Sequence, residues 1–136
     1  MILSLFNDFL TSDNTFQVYK HNKLLFTSSN GRLLPLLEYI DRFAPLEKNV
    51  TIFDQIVGNA AALLLKKALC HKVYSPLGSE LAVKTLSSYG IKYHFAKVVP
   101  CIQNSRGEGM CPMEKLSIGK SPDELYEALK ERNSGF

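Results

Sequence analysis

The chain has 136 residues, with sixteen Lys and Arg against thirteen Asp and Glu, for a formal net charge of +3. That length sets a single domain and excludes a repeat array or a two-lobed enzyme; 46% apolar and 21% charged residues exclude a disordered chain. The basic excess lies in residues 58–136 as scattered lysines such as Lys72, Lys84, Lys92 and Lys97. Nucleic-acid binders cluster their charge among aromatics, so no nucleic-acid partner is expected.

The elements are taken in chain order. Residues 1–12 open with Ile2, Leu3, Leu5, Phe6, Phe9 and Leu10 on one helical stripe, which predicts an amphipathic helix packed on the domain or on a second copy. No basic stretch precedes it and Asn7 and Asp8 interrupt it, so it does not read as a signal peptide. Thr15–Lys20 alternates as a strand, His21-Asn22 is a tight turn, and Lys23–Thr27 returns. Ser28–Gly31 is a breaker cluster. Residues 32–43 have helical spacing, with Pro35 in the first turn. Asn49–Val57 reads as one buried strand, and the Ala- and Leu-rich run 60–69 as the buried central helix. A short strand at 71–75, ending at Pro76, a helix over 79–89 stopped by Gly90, and a strand at 91–99 follow. After the polar loop 103–109, Ser121-Pro122-Asp123-Glu124 has the form of a capped helix start, giving a C-terminal helix over 122–132. The order, β-β-α-β-α-β-α-β-α behind an extra helix, predicts an α/β fold: a single three-layer α/β/α sandwich with a mixed sheet, spanning 1–136.

Two junctions depart from plain packing. In Asp54–Ala62, a strand ends, Gly58 permits a close turn, and a buried helix begins with Asn59 in capping position. Unpaired amides at such a start suit polar ligand atoms, which makes Asp54, Gly58 and Asn59 candidate ligand-binding residues; Gly58 and the alanines also suit tight packing alone. In Arg106–Glu114, Cys111-Pro112 reads as a cap and first helical residue, with Glu114 at the third. A thiol placed there is expected to be acidified. Cys111 and Glu114 are the candidate catalytic pair, and Arg106 and Gly109 are further candidate ligand contacts; a half-buried cysteine in a short turn is the plainer reading. The three cysteines, Cys70, Cys101 and Cys111, are an odd count without C-x-x-C spacing, which argues against a disulfide framework and against a zinc site.

The D-x-x-V-G-x-A-A-A segment at Asp54–Ala62, together with G-x-G-x-C-P-M-E-K-L at Gly107–Leu116, resembles a family of small uncharacterised microbial proteins related in fold to the zinc cytidine deaminases. The resemblance covers residues 13–118 and implies a cytidine deaminase-like arrangement with both motifs at one end of the sheet. It does not extend to deaminase chemistry, which requires H-x-E on one helix and P-C-x-x-C on the next. Here the first helix begins Gly58-Asn59-Ala60-Ala61-Ala62, and Pro100-Cys101 is followed by Asn104 where the second cysteine would stand.

The expected function is therefore that of a deaminase-fold protein binding a small polar, nucleotide-like ligand, with no metal and no cofactor. The alternatives are a metal-independent enzyme using Cys111 as nucleophile or redox thiol, with Glu114 or Asp54 moving a proton, and an interaction protein that forms a homodimer through the N-terminal helix. No apolar run reaches the roughly 18 residues of a membrane span, and with the cysteine usage this gives the expectation of a soluble cytoplasmic chain.

Overall fold

The structure is a computed structural model that describes residues 2–104, 106–107 and 109–132. Met1, Glu108 of the second motif and the last four positions of the 1–136 domain assignment lie outside the described residues. Among the described residues six helices and six strands follow in the order α1 (Ile2–Leu10), β1 (Phe16–Lys20), β2 (Lys23–Ser28), α2 (Leu34–Arg42), β3 (Val50–Asp54), β4 (Ile56–Val57), α3 (Asn59–Lys67), β5 (Cys70–Ser79), α4 (Glu80–Ser88), β6 (Lys92–Val99), α5 (Pro112–Ser117) and α6 (Pro122–Arg132).

The sheet is mixed. β1 pairs antiparallel with both β2 and β3, while β5 runs parallel to β3 and β4 on one side and to β6 on the other. His21 and Asn22 take positive φ (56° and 100°), which makes the β1–β2 connection the tight turn the sequence predicts. The strand expected over 49–57 is in fact two. Its interruption at Gln55 lies between the pairs Phe53↔Tyr74 and Ile56↔Leu77, opposite Ser75-Pro76. Pro76 has no N–H to give the ladder, and the Ser75 hydroxyl both donates to the Leu77 carbonyl at 2.9 Å and accepts from its N–H at 3.2 Å. Beyond this irregularity the neighbouring strand resumes, so β5 continues to Ser79 rather than stopping at Ser75.

The two faces of the sheet are covered unequally. Phe16, Val18, Val50, Ile52 and Val73 pack under α2, α3, α4 and α6 in one large core. Within it α3 is buried from Asn59 to Leu65. That enclosure is the physical meaning of an Ala-Leu helix apolar around most of its circumference. On the opposite face Tyr19, Phe53 and Tyr74 pack against Phe6 and Phe9 of α1, flanked by Ile2 and Leu5, with the His94 ring against Phe6 and Tyr74. Phe53 sits at the centre of this second cluster, with ring centroids 5.2–5.6 Å from Tyr19, Phe6, Phe9 and Tyr74. The third layer is therefore a single helix, and α1 commits Phe6 and Phe9 to its own sheet while Leu3 and Leu10 remain exposed.

Helix ends follow their sequence signals. Ser79 accepts from the Ala82 N–H at 3.0 Å to cap α4, which ends at Gly90 (φ 71°). Ser121 and Glu124 exchange side chain-to-backbone bonds of 2.8 and 3.1 Å, a complete capping box for α6. α6 is tied to α2 through Asp41, which accepts from the Tyr126 hydroxyl and, at 2.6 Å, from Lys130 Nζ; the bond to Asp41 pushes the Tyr126 hydroxyl up to about 12.

Phe53→Ala should remove the hub of the smaller core and cost about 3–5 kcal/mol in urea unfolding. Gly78→Ala should be costly for a different reason, since its Cβ would stand 2.2 Å from the Phe95 ring. Pairing it with Phe95→Leu should recover part of that loss, read from the same unfolding midpoints.

Candidate functional site

A cavity of about 650 Å³ opens at the end of β3, where the chain turns into α3. One wall is Asp54, Gln55 and Ile56 with Gly58, Ala60 and Ala61 of the α3 start. Facing it are Ile102, Gln103 and Asn104 together with Cys111, Pro112, Met113 and Glu114; Thr15 and residues Asn30–Leu33 close the remaining side. The location, beyond the carboxyl end of a strand in an α/β sheet, is where such folds commonly hold ligands.

Four of the seven predicted residues, Asp54, Gly58, Cys111 and Glu114, line this one cavity. Asn59 stands beside it but turns its side chain into the helical layer, where Nδ2 donates to Ser117 Oγ at 2.9 Å and Oδ1 accepts from Thr85. Its carboxamide holds α3 to α4 and α5 and does not face the cavity. Arg106 and Gly109 are exposed and do not line the cavity. Arg106 belongs to the turn, its backbone N–H bonding Asn104 Oδ1 at 3.0 Å.

Glu114 is 2% exposed and both carboxylate oxygens are engaged. Oε1 accepts from the Asn59 N–H in the first turn of α3, and Oε2 accepts from the Ile102 N–H at 2.8 Å. It satisfies an amide that the helix start leaves without an intrahelical partner, and it joins the two walls of the cavity. Gly58 makes this possible. Its φ of −93° is open to any residue, so space is what it provides: a Cβ there would lie 2.7 Å from Glu114 Oε1 and 2.9 Å from Ile102 Cγ1.

Cys111 is half-buried at the N-cap position of α5, as predicted, and its thiol makes no capping bond. Its backbone is fixed on both sides: the N–H donates to the Ile102 carbonyl at 2.8 Å, and the carbonyl accepts from Lys115 at 3.0 Å. Asp54 is 7% exposed. Burial pushes its carboxyl up to about 8, against the opposing pull of the Gln55 and Ile56 backbone N–H groups. Near neutral pH the group is thus mostly a neutral acid, able to donate a hydrogen bond into the cavity as well as accept one. Among the described residues no three His, Cys, Asp or Glu side chains gather as metal ligands would, and no helix is long and apolar enough to cross a membrane.

The wall formed by Thr15 and Asn30–Leu33 was not legible as part of the site. Its one signal was the breaker cluster before Arg32, a residue that takes positive φ (58°) just ahead of α2.

The model of a domain of unknown function, DUF1893 (TM1506), matches residues 5–132. The crystal structure of the DUF1893 family protein TM1506 from Thermotoga maritima superposes with a TM-score of 0.86 at 27% sequence identity, over 96% of this chain and 88% of that one. No curated protein matches the chain.

Because Asp54 in the folded protein keeps a proton that the unfolded chain releases near pH 4, stability should fall as pH rises from about 4 to about 8 and level off above. The slope from this one group is at most about 1.4 kcal/mol per pH unit. Urea midpoints measured from pH 5 to pH 9 should show it, and Asp54→Asn should flatten the curve over that window. Gly58→Ala should displace the Glu114 carboxylate and cost about 1–3 kcal/mol, with the Asn59 and Ile102 amides exchanging faster with solvent.

Proposed function

The chain belongs to the DUF1893 family, and on that footing we propose that it binds a small polar, nucleotide-like ligand in the cavity between the α3 start and α5, without zinc-assisted deamination. The observation that carries this reading is convergence: two motifs some fifty residues apart in sequence supply Asp54, Gly58, Cys111 and Glu114 to one cavity of about 650 Å³, a size suited to such a ligand. The walls combine apolar surface from Leu33, Ile56, Ile102 and Met113 with polar groups at Thr15, Asn30, Gln55 and Asn104. That mixture binds a flat or compact polar molecule through a few directed hydrogen bonds.

The relation to the cytidine deaminases is part of this proposal. In its favour are a mixed sheet with parallel β3, β5 and β6 beside antiparallel β1 and β2 and a cavity at the start of the helix after β3. Against deaminase chemistry stand the residues themselves. Where that reaction needs a zinc-held water and a glutamate to shuttle the proton, α3 begins Asn59-Ala60-Ala61-Ala62, and the nearby Glu114 has both oxygens bound by backbone amides. Glu114 is therefore a positioning residue in this reading.

A second reading rests on Cys111 and Asp54 lining the same cavity. In that reading Cys111 supplies the nucleophilic sulfur, and the proton-handling role falls to Asp54, on the same cavity, rather than to Glu114.

A panel of nucleosides, nucleotides and sugar phosphates tests the binding reading by thermal shift. A true ligand at about a hundred times its Kd should add about 2.7 kcal/mol of stability and raise Tm by several degrees, and Ala61→Trp, which fills the cavity, should abolish the rise. No shift with any member would overturn the reading. Cys111→Ser separates the two readings, since it should preserve the shift in a binding protein and eliminate turnover in an enzyme.

A further inference from the structure

We propose that the free edge of β6 is a docking strip for an acidic, extended segment of a partner protein, which adds to the sheet as a further strand. The inference is independent of the cavity and of what the cavity binds. Among the described residues β6 pairs only with β5 and forms one end of the sheet. Its register with β5 runs from Lys72↔Lys92 to Ser79↔Val99 without a shift. Six of its eight residues are exposed and none is buried, and its ladder with β5 is interrupted only at Ala96, opposite Pro76.

The other end of the sheet is managed differently. β2 pairs with β1 across a register shift at Val18/Tyr19, an irregularity of the kind that discourages edge pairing. β6 has neither a shift nor a proline, and lysine is its only guard. Lysines on a free edge oppose pairing between identical copies, and the same charges favour an acidic strand, because opposite charges placed across strands attract. The charge here is one-sided: β5 and β6 carry Lys72, Lys92 and Lys97 and no Asp or Glu. Lys72 stands directly opposite Lys92 and holds its ammonium over the Tyr74 ring, 4.8 Å from the centroid, so Lys92 and Lys97 are the charges that the edge itself presents. Tyr93 and Val98, 39% and 45% exposed, add apolar contacts along the strip. Strand addition supplies affinity through main-chain hydrogen bonds and selectivity through side chains, so the matching partner carries acidic residues five positions apart, opposite Lys92 and Lys97, with β-branched residues between them.

The test uses the full chain and a fluorescein-labelled ten-residue peptide of Val with two Glu residues five positions apart, read by anisotropy. Saturable binding is expected, weakened about tenfold or more by Lys92→Glu/Lys97→Glu, together with slowed hydrogen exchange at β6 amides when the peptide is present. Far-UV circular dichroism and Tm verify that the double variant folds, and Lys92→Gln/Lys97→Gln, a milder change at the same exposed positions, should weaken binding to an intermediate degree. Three results would overturn the proposal. One is the absence of saturable binding, or equal binding of a Lys-Val peptide. Another is equal binding of polyglutamate or single-stranded oligouridylate without protection of β6 amides, which assigns the strip to charge alone. The third is a concentration-dependent dimer in sedimentation velocity that the double variant abolishes, which assigns the edge to a second copy.

Discussion

One buried carboxylate holds the working end of this molecule together. Glu114 reaches from the short helix α5 to the first turn of α3 and to the backbone at Ile102, dividing its two oxygens between them. A buried polar group is tolerated when it is hydrogen-bonded, and here each oxygen accepts from an amide of a different segment. The arrangement in turn forbids a side chain at position 58. The cavity exists because these three constraints agree: a glycine that leaves room, an acid that fills it, and a chain segment at 102–104 and 111 pulled in as the opposite wall.

Around that fixed point the chemistry is divided by burial. Asp54 and Glu114 are both almost wholly enclosed, yet they differ in what surrounds them. Glu114 has one amide per oxygen drawn from separate elements. Asp54 accepts only from the two residues that follow it and is dominated by the cost of desolvation. Two carboxyls on one cavity thus end in different roles, one as a brace and one as a proton-bearing group, a separation produced by environment rather than by residue type.

Much of this was written in the sequence, and the part that was not has identifiable causes. Local signals held wherever neighbouring residues decide the outcome: the His21-Asn22 turn, the Ser79 cap, the Gly90 stop and the Ser121–Glu124 box all formed as their chemistry requires. The Ala-Leu helix was recognisable as central because its composition has no polar face. Contacts made at long range were less legible. Cys111-Pro112-Met113-Glu114 has the spacing of a local cap, and nothing in it indicates that Glu114 would bond to residues 55 and 12 positions away instead. Asn59 looked like a ligand contact because of its position in the chain, and only its packing reveals that Ser117 and Thr85 claim its side chain. The break at Gln55 depends on Pro76 in another strand, so no reading of residues 49–57 alone contains it. Arg106 and Gly109 shared a motif with Cys111, but the turn carries them out to solvent.

The unequal covering of the sheet has a consequence for how the molecule opens. Five helices share one face and interlock with one another, so none can leave without disturbing its neighbours. α1 stands alone on the other face, nine residues long, and is attached through a few aromatic rings. Its packing is on the sheet, through Phe6 and Phe9, and an element held by so small a cluster belongs at the low end of the ladder of local opening energies. When it lifts, the Phe53 and Tyr74 rings, set edge to face at 84°, are uncovered beside the Lys72 ammonium. In its open moments the protein therefore presents a face chemically unlike any it shows when closed, apolar at the centre and positively charged at the margin.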